Sequence, residues 1–162
     1  LFVEHIKSLN LPNLIMASAD TGGTKRASSY AKHLDTDLAI CYKQRKVANR
    51  VDSMTLIGDV TGKDVIIIDD LIDTGGTIVK AAEIMMSNGA RTVRAMCTHP
   101  VLSGPAYERI EASPLTELIV TDTIPLKRTS DKIKVLSVAP LIADVIKRIQ
   151  NLESISSHFV IS

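Results

Sequence analysis

Residues 64–82 read DVIIIDDLIDTGGTIVKAA. Four consecutive β-branched residues, Val65, Ile66, Ile67 and Ile68, run into two adjacent acids, Asp69 and Asp70. Asp73, Thr74, Gly75, Gly76 and Thr77 follow, and then a run with helical spacing. An unbroken apolar run bounded by turn residues marks a strand buried on both faces, as in a parallel sheet. The stretch therefore reads as strand, acidic edge, glycine turn and helix. Such a turn aims free backbone N–H groups and a helix N-terminus at one anion, most often a phosphate. Paired acids beside it suit hydroxyl groups or a hydrated metal ion. Together they read as a sugar-phosphate cradle, against the plainer reading of an ordinary strand-to-helix turn.

Strands and helices alternate on either side of this stretch. Upstream, residues 1–9 have helical spacing and Pro12 sits in a turn. Residues 14–17 form an apolar strand, a helix spans about 24–34, and residues 38–42 form a second strand. Residues 54–57 make a short strand. Downstream, the helix after the cradle runs from about Gly76 to Ser87, with Ile78, Ala81, Ala82 and Met85 spaced for a core face. Gly89 is its expected C-terminal cap. Strands follow at 92–97, 118–121 and 133–137. A helix between the first two has Ser103 as its expected N-cap and Pro105 in its first turn. A last helix spans about 140–150, with Leu141, Val145 and Ile149 on one face. This alternation specifies an α/β fold with a mostly parallel sheet flanked by helices. Ligands of such sheets bind at the C-terminal strand ends.

The same five residues occur twice. Asp20, Thr21, Gly22, Gly23 and Thr24 repeat the sequence of residues 73–77, again between a strand and a helix. Glycine lets a backbone approach an anion closely, so two such loops at one sheet edge are suited to two phosphate groups. The aspartates have a plainer use, fixing their own loops through Asx turns; the other reading of Asp20 is a ligand for a divalent cation shared with the phosphates. The strand at 38–42 is followed by Lys43-Gln44-Arg45-Lys46-Val47-Ala48-Asn49-Arg50, with four cations in eight positions and no clear period. Alone it reads as a solvated charge run. Beside two anion cradles it reads as a mobile catalytic loop, because phosphoryl transfer needs positive charge on the transferring group.

Composition bounds the remaining possibilities. The 162 residues suffice for one domain with a sizeable core. Apolar residues make up 45% and aromatic ones 3%, so the core is aliphatic. A net charge of +1 gives no electrostatic case for nucleic acid. Cys41 and Cys97 lie in apolar strand-like runs, as buried thiols of a reducing compartment do. No apolar run reaches about 18 residues, and no membrane partner is expected. His5, His33, His99 and His158 fall into no zinc-hydrolase or Ser-His-Asp pattern. The chain opens on Leu1 within a helical pattern, as a piece of a longer protein would.

Residues 65–77 resemble the phosphoribosyl pyrophosphate-binding signature of type I phosphoribosyltransferases and of the synthetases that make that metabolite. Residues 18–23, the Lys43–Lys46 loop, and residues 98–104, 120–125 and 134–140 narrow the resemblance to the ribose-phosphate pyrophosphokinases. It covers essentially the whole chain and corresponds to the C-terminal half of a two-domain enzyme with a type I phosphoribosyltransferase-like, Rossmann-like fold. The resemblance implies Mg2+-dependent transfer of pyrophosphate from ATP to O1 of ribose 5-phosphate, giving phosphoribosyl pyrophosphate and AMP for nucleotide biosynthesis in the cytoplasm.

Carried onto this chain, Asp73, Thr74, Gly75, Gly76 and Thr77 hold the 5-phosphate. Asp69 and Asp70 engage the ribose hydroxyls, Asp70 partly through metal. Asp20, Thr21, Gly22 and Gly23 form the pyrophosphate loop, with Asp20 as a Mg2+ ligand, and Lys43 and Arg45 stabilise the transition state. The resemblance also implies dimers assembling into a hexamer, with the tail at 154–159 near a regulatory nucleotide site. Two departures stand out. The usual Lys-Arg-Arg-Pro of the catalytic loop is Lys43-Gln44-Arg45-Lys46, and the usual proline before Asp20 is Ala19. Most ATP contacts of the family come from its N-terminal half or a neighbouring subunit, so this chain is expected to bind ribose 5-phosphate without turning over alone. Two other readings are a type I phosphoribosyltransferase, for which no nucleobase-selecting hood segment is evident, and a non-catalytic synthetase-associated protein, which would have lost a cradle or the catalytic cations.

Overall fold

A computed structural model describes residues 1–44 and 53–159. Among these, seven strands form one sheet in the order β3-β2-β1-β4-β5-β6-β7. The strands are β1 (Leu14–Ser18), β2 (Leu38–Gln44), β3 (Ser53–Ile57), β4 (Asp64–Ile72), β5 (Thr92–Pro100), β6 (Glu117–Thr121) and β7 (Ile133–Leu136). The β2–β3 pair is antiparallel and every other pair is parallel. The mostly parallel α/β sheet expected from the alternation is therefore present.

The alternation of β4 explains how both faces are covered. Val65 and Ile67 point to one side, where they join Ile78, Ala81, Ala82 and Met85 of α3 (Gly76–Ser87) and Ala106, Tyr107 and Ile110 of α4 (Ala106–Ala112). Ile66 and Ile68 point to the other, where they meet Phe2 and Ile6 of α1 (Phe2–Ser8) and Ala27 and Ala31 of α2 (Thr24–Leu34). Two aliphatic layers, one on each face, make a central strand apolar at every position. The expected ends of α2 and α3 agree with the structure. Gly89 ends α3 at φ +86°, and the Gly89 and Ala90 N–H groups donate to the carbonyls of Met86 and Met85, a Schellman closure. Cys41 and Cys97 are free and buried; burial pushes their thiols up to about 11 and about 12.

Three expectations are corrected. β4 does not stop before the acids but runs on through Asp69 and Asp70 to Ile72, because β5 continues beside it to Ile72↔Pro100. Ser103 does not cap α4; Pro105 occupies that position without a side-chain bond, and the Ser103 hydroxyl donates to Asp73 instead. In α5 (Ala139–Gln150), Leu141, Val145 and Ile149 do not share a core face: no residue of the helix is buried, and Ile149 is 57% exposed. The three positions spread over about 80° and fit one helical stripe, but no surface among the described residues buries that stripe.

The opposite edge of the sheet, at the N-terminal strand ends, carries a charge ladder. Asp64, whose side chain is 2% exposed, accepts bonds from the Arg91 guanidinium and from the Thr92 hydroxyl at 2.8 Å. Glu117 of β6 accepts from Arg94 Nε at 2.8 Å and pairs with Lys134 Nζ at 2.6 Å. The hydrogen bond from Arg91 holds the Asp64 carboxyl below the usual carboxylate range. A group with a depressed folded-state pKa adds stability above its unfolded pKa, about 4, and loses it as pH falls through the folded value. Replacing Asp64→Asn is expected to cost about 1–3 kcal/mol near neutral pH. In chemical denaturation, the gap between variant and parent should narrow as the pH drops below 4.

Candidate functional site

The C-terminal ends of β1, β2, β4, β5, β6 and β7 share one edge, because these strands run parallel. At that edge a cavity of about 310 Å³ is lined by Asp20, Asp69, Asp70 and residues 71–78. The structure thus brings Asp20 to the same cavity as Asp69, Asp70, Asp73, Thr74, Gly75, Gly76 and Thr77. Thr21, Gly22 and Gly23 belong to the neighbouring loop but do not line this cavity. Lys43 is the penultimate residue of β2, a strand rather than the expected loop, and its backbone pairs with Met54. Arg45 and the rest of the expected catalytic loop lie outside the described residues.

The two identical pentapeptides fold differently. In the first, helix α2 begins at its last residue, Thr24, with Gly23 as N-cap at φ −81°. The Asp20 carboxylate accepts the Gly23 N–H at 3.0 Å, and the Ser18 hydroxyl donates to the Asp20 carbonyl at 2.6 Å. This is the loop-fixing use of the aspartate. In the second, α3 begins one residue earlier, at Gly76, and Gly75 caps it in the left-handed region at φ +73°. Asp73 takes its bond from the Ser103 side chain, thirty residues along the chain.

Different neighbours explain the difference. Ser18 at the end of β1 lies under the first loop, and a Cβ on Gly23 would stand 2.6 Å from its hydroxyl. The second loop packs on α4, where a Cβ on Gly75 would meet Ala106 and Ile110 at 3.5–3.7 Å.

Arg26, which the sequence reading passed over, links the two halves of the site. From the first turn of α2 its Nη1 lies 3.0 Å from Asp69 Oδ1 and its Nη2 2.8 Å from Asp70 Oδ2. The signal was present: a cation six residues after Asp20, one helical turn past the loop. Burial raises the Asp69 carboxyl above the usual aspartate range, against the lowering pull of the Asp70 N–H and of Arg26. Burial also works to raise Asp70, but its hydrogen bond with Asp69 and the Arg26 charge outweigh it and hold that carboxyl low. The Asp69 and Asp70 side chains are 27% and 65% exposed, so both remain open to a ligand.

The arrangement can bind an anion at the α3 N-terminus and hydroxyl groups or a hard cation at the acids. No group of three or more His, Cys, Asp or Glu residues that could hold a metal ion occurs among the described residues. The oxygen donors present still fit Mg2+, which commonly takes one or two carboxylates and completes its shell with water and substrate phosphates.

The sequence pattern of the phosphoribosyl synthetase-associated domain matches residues 44–160. The chain belongs to this family. A ribose-phosphate pyrophosphokinase of Wolinella succinogenes is 55% identical over 98% of the chain and 52% of its own length. The chain thus spans about half the length of the curated relatives it matches. The crystal structure of phosphoribosylpyrophosphate synthetase from Mycobacterium smegmatis superposes with a TM-score of 0.84 at 34% identity, over 93% of this chain and 49% of that one. A purine phosphoribosyltransferase from Pyrococcus horikoshii shares the fold alone, with a TM-score of 0.53 at 19% identity over 83% and 80% of the two chains. This phosphoribosyl synthetase-associated fold therefore extends to type I phosphoribosyltransferases, as the sequence analysis expects.

Two measurements check the geometry of the site. Arg26→Met removes a charge that lowers Asp69, so the carboxyl resonance of Asp69, followed by NMR, should titrate at higher pH than in the parent. Gly23→Ala should destabilise the chain. Ser18→Ala clears the obstructing hydroxyl, so the double variant should be more stable than the sum of the two single effects predicts.

Proposed function

We propose that this chain is the sugar-phosphate-binding, C-terminal half of an enzyme that transfers pyrophosphate from ATP to O1 of ribose 5-phosphate. The observation that carries the reading is the shared cavity: Asp69 and Asp70 at its wall, the glycine turn at 73–77 beside them, and Asp20 facing in from the neighbouring loop. The 5-phosphate binds the turn at 73–77, with the Thr77 hydroxyl and the N–H groups opening α3 as its donors. The 2- and 3-hydroxyls of the sugar donate to Asp69 and Asp70. Their orientation is held by Arg26, which also offsets the charge of the pair. The anomeric oxygen then points toward the loop of Asp20, Thr21, Gly22 and Gly23, where the pyrophosphate group of ATP would bind.

In the reaction, the C1 hydroxyl oxygen forms a bond to the β-phosphorus. The bond from that phosphorus to the α–β bridging oxygen breaks, AMP departs, and the hydroxyl proton is released. Mg2+ held at Asp20 would neutralise phosphate charge and favour in-line attack. Lys43 and Arg45 supply further positive charge to the transferring group. The roughly half-length match to the curated relatives supports a missing partner half that carries most of the ATP contacts. The full protein works in the cytoplasm as an oligomer, dimers joining into a hexamer. Among the described residues, no helix is long and apolar enough to cross a membrane.

Calorimetry with the 162-residue chain tests the reading: ribose 5-phosphate should bind, and the Asp69→Asn/Asp70→Asn double variant should weaken it about tenfold or more. The same chain given ATP, Mg2+ and ribose 5-phosphate should release no AMP above background. Robust release would overturn the assignment of an incomplete half, and absent sugar-phosphate binding would overturn the cradle.

A further inference from the structure

The turn at 72–76 is held from behind by one segment, residues 102–109. Three consecutive carbonyls are taken up by it. The Ile72 carbonyl accepts the Leu102 N–H at 3.1 Å, and the Asp73 carbonyl accepts the Ser103 N–H at 3.1 Å. The Thr74 carbonyl accepts Arg109 Nη1 at 3.0 Å. In a trans peptide the carbonyl of one residue and the N–H of the next point in opposite directions. With all three carbonyls turned toward residues 102–109, the N–H groups of Asp73, Thr74 and Gly75 turn away from that segment. Neither the Thr74 nor the Gly75 N–H has a hydrogen-bond partner among the described residues, and both residues line the cavity.

The backing segment is itself held in an unfavourable shape. Leu102 has φ +46°, a conformation that leucine rarely adopts, and its side chain is 2% exposed. Packing pins the backbone there and delivers its N–H to the turn. Such outliers persist only where the surroundings over-determine them. Two of the three bonds come from this backbone. The third comes from a side chain. Arg109 lies on the exposed face of α4, does not line the cavity, and has its guanidinium 3.5 Å from where a Cβ on Gly76 would stand.

We infer that Arg109 is a positioning residue of the phosphate cradle: it holds the Thr74 carbonyl outward from behind and so aims the Gly75 N–H at the bound phosphate. The inference rests on the proposed sugar-phosphate reading for the identity of the ligand, but not for the geometry of the turn. Arg109 does not touch the phosphate. Its effect passes through one peptide plane, which the left-handed Gly75 leaves free to rotate when the carbonyl is released.

The test is a titration of the 162-residue chain with ribose 5-phosphate, followed by calorimetry and by the amide resonances of Gly75 and Gly76, at a temperature where every variant is folded. Arg109→Met should weaken binding about five- to tenfold, the effect of one lost hydrogen bond. Arg109→Lys, which keeps a donor, should restore most of the affinity. Lys80→Met, which removes an exposed cation from α3, should leave affinity unchanged. The inference is overturned if Arg109→Met binds as tightly as the parent, or if Lys80→Met weakens binding equally and the effect is only one of net charge.

If the parent chain fails to bind ribose 5-phosphate, the sugar reading falls. Inorganic phosphate then serves as the probe: a phosphate-induced shift of the Gly75 amide that is lost in Arg109→Met upholds the positioning role. No shift in the parent overturns both.

Discussion

Two adjacent carboxylates at the end of a buried strand repel one another, and the site depends on how that repulsion is met. Asp69 and Asp70 sit within the β4 ladder, so their backbone positions are fixed by pairing with β5 and cannot relax apart. Arg26 answers with one planar guanidinium, one nitrogen to each acid. A lysine offers a single point charge and could not span both in this way. Because Arg26 stands on the first turn of α2, the same contact ties the helix behind the Asp20 loop to the end of β4. The spacing between the two loops is therefore set by an ion pair as well as by the sheet.

The architecture was legible because β4 states it twice. Its unbroken β-branched run requires apolar cover on both faces, and its glycine turn requires a helix to follow. From those two requirements the parallel order, both core layers and the shared edge follow with little freedom left. Apolar spacing located α2 and α3 to the residue, because Ala27 and Ala31, and Ile78, Ala81, Ala82 and Met85, lie on stripes that the sheet buries. In α5 the apolar stripe is there in the spacing, but no surface among the described residues buries it.

The site was legible by residue type and not by conformation. Asp20 and residues 69–77 gather as their chemistry suggests. Yet one pentapeptide, read twice, closes on its own aspartate in the first case and reaches to α4 in the second. The deciding contacts come from Ser18 on one side and from Ser103 and Arg109 on the other. Ser103 and Arg109 are remote in sequence, and nothing local in DTGGT announces them. Ser103 illustrates the limit well: it stands where a helix cap belongs, but a carboxylate in the turn offers its hydroxyl a charged acceptor, and the cap position goes to Pro105.

The two cysteines give the molecule an unplanned property. Cys97 is paired in register with Asp69, in the middle of the sheet, whereas Cys41 lies one strand from the β3 edge. Neither thiol is exposed, and burial suppresses both thiolates, so an alkylating reagent can react only when the surrounding strands part. The chain thus carries two internal clocks of opening. The labelling rate at Cys97 times the parting of β5 from the strand that presents the acids, and the rate at Cys41 times the fraying of the strand that carries Lys43. Ligand occupancy at the cavity would slow the first clock more than the second.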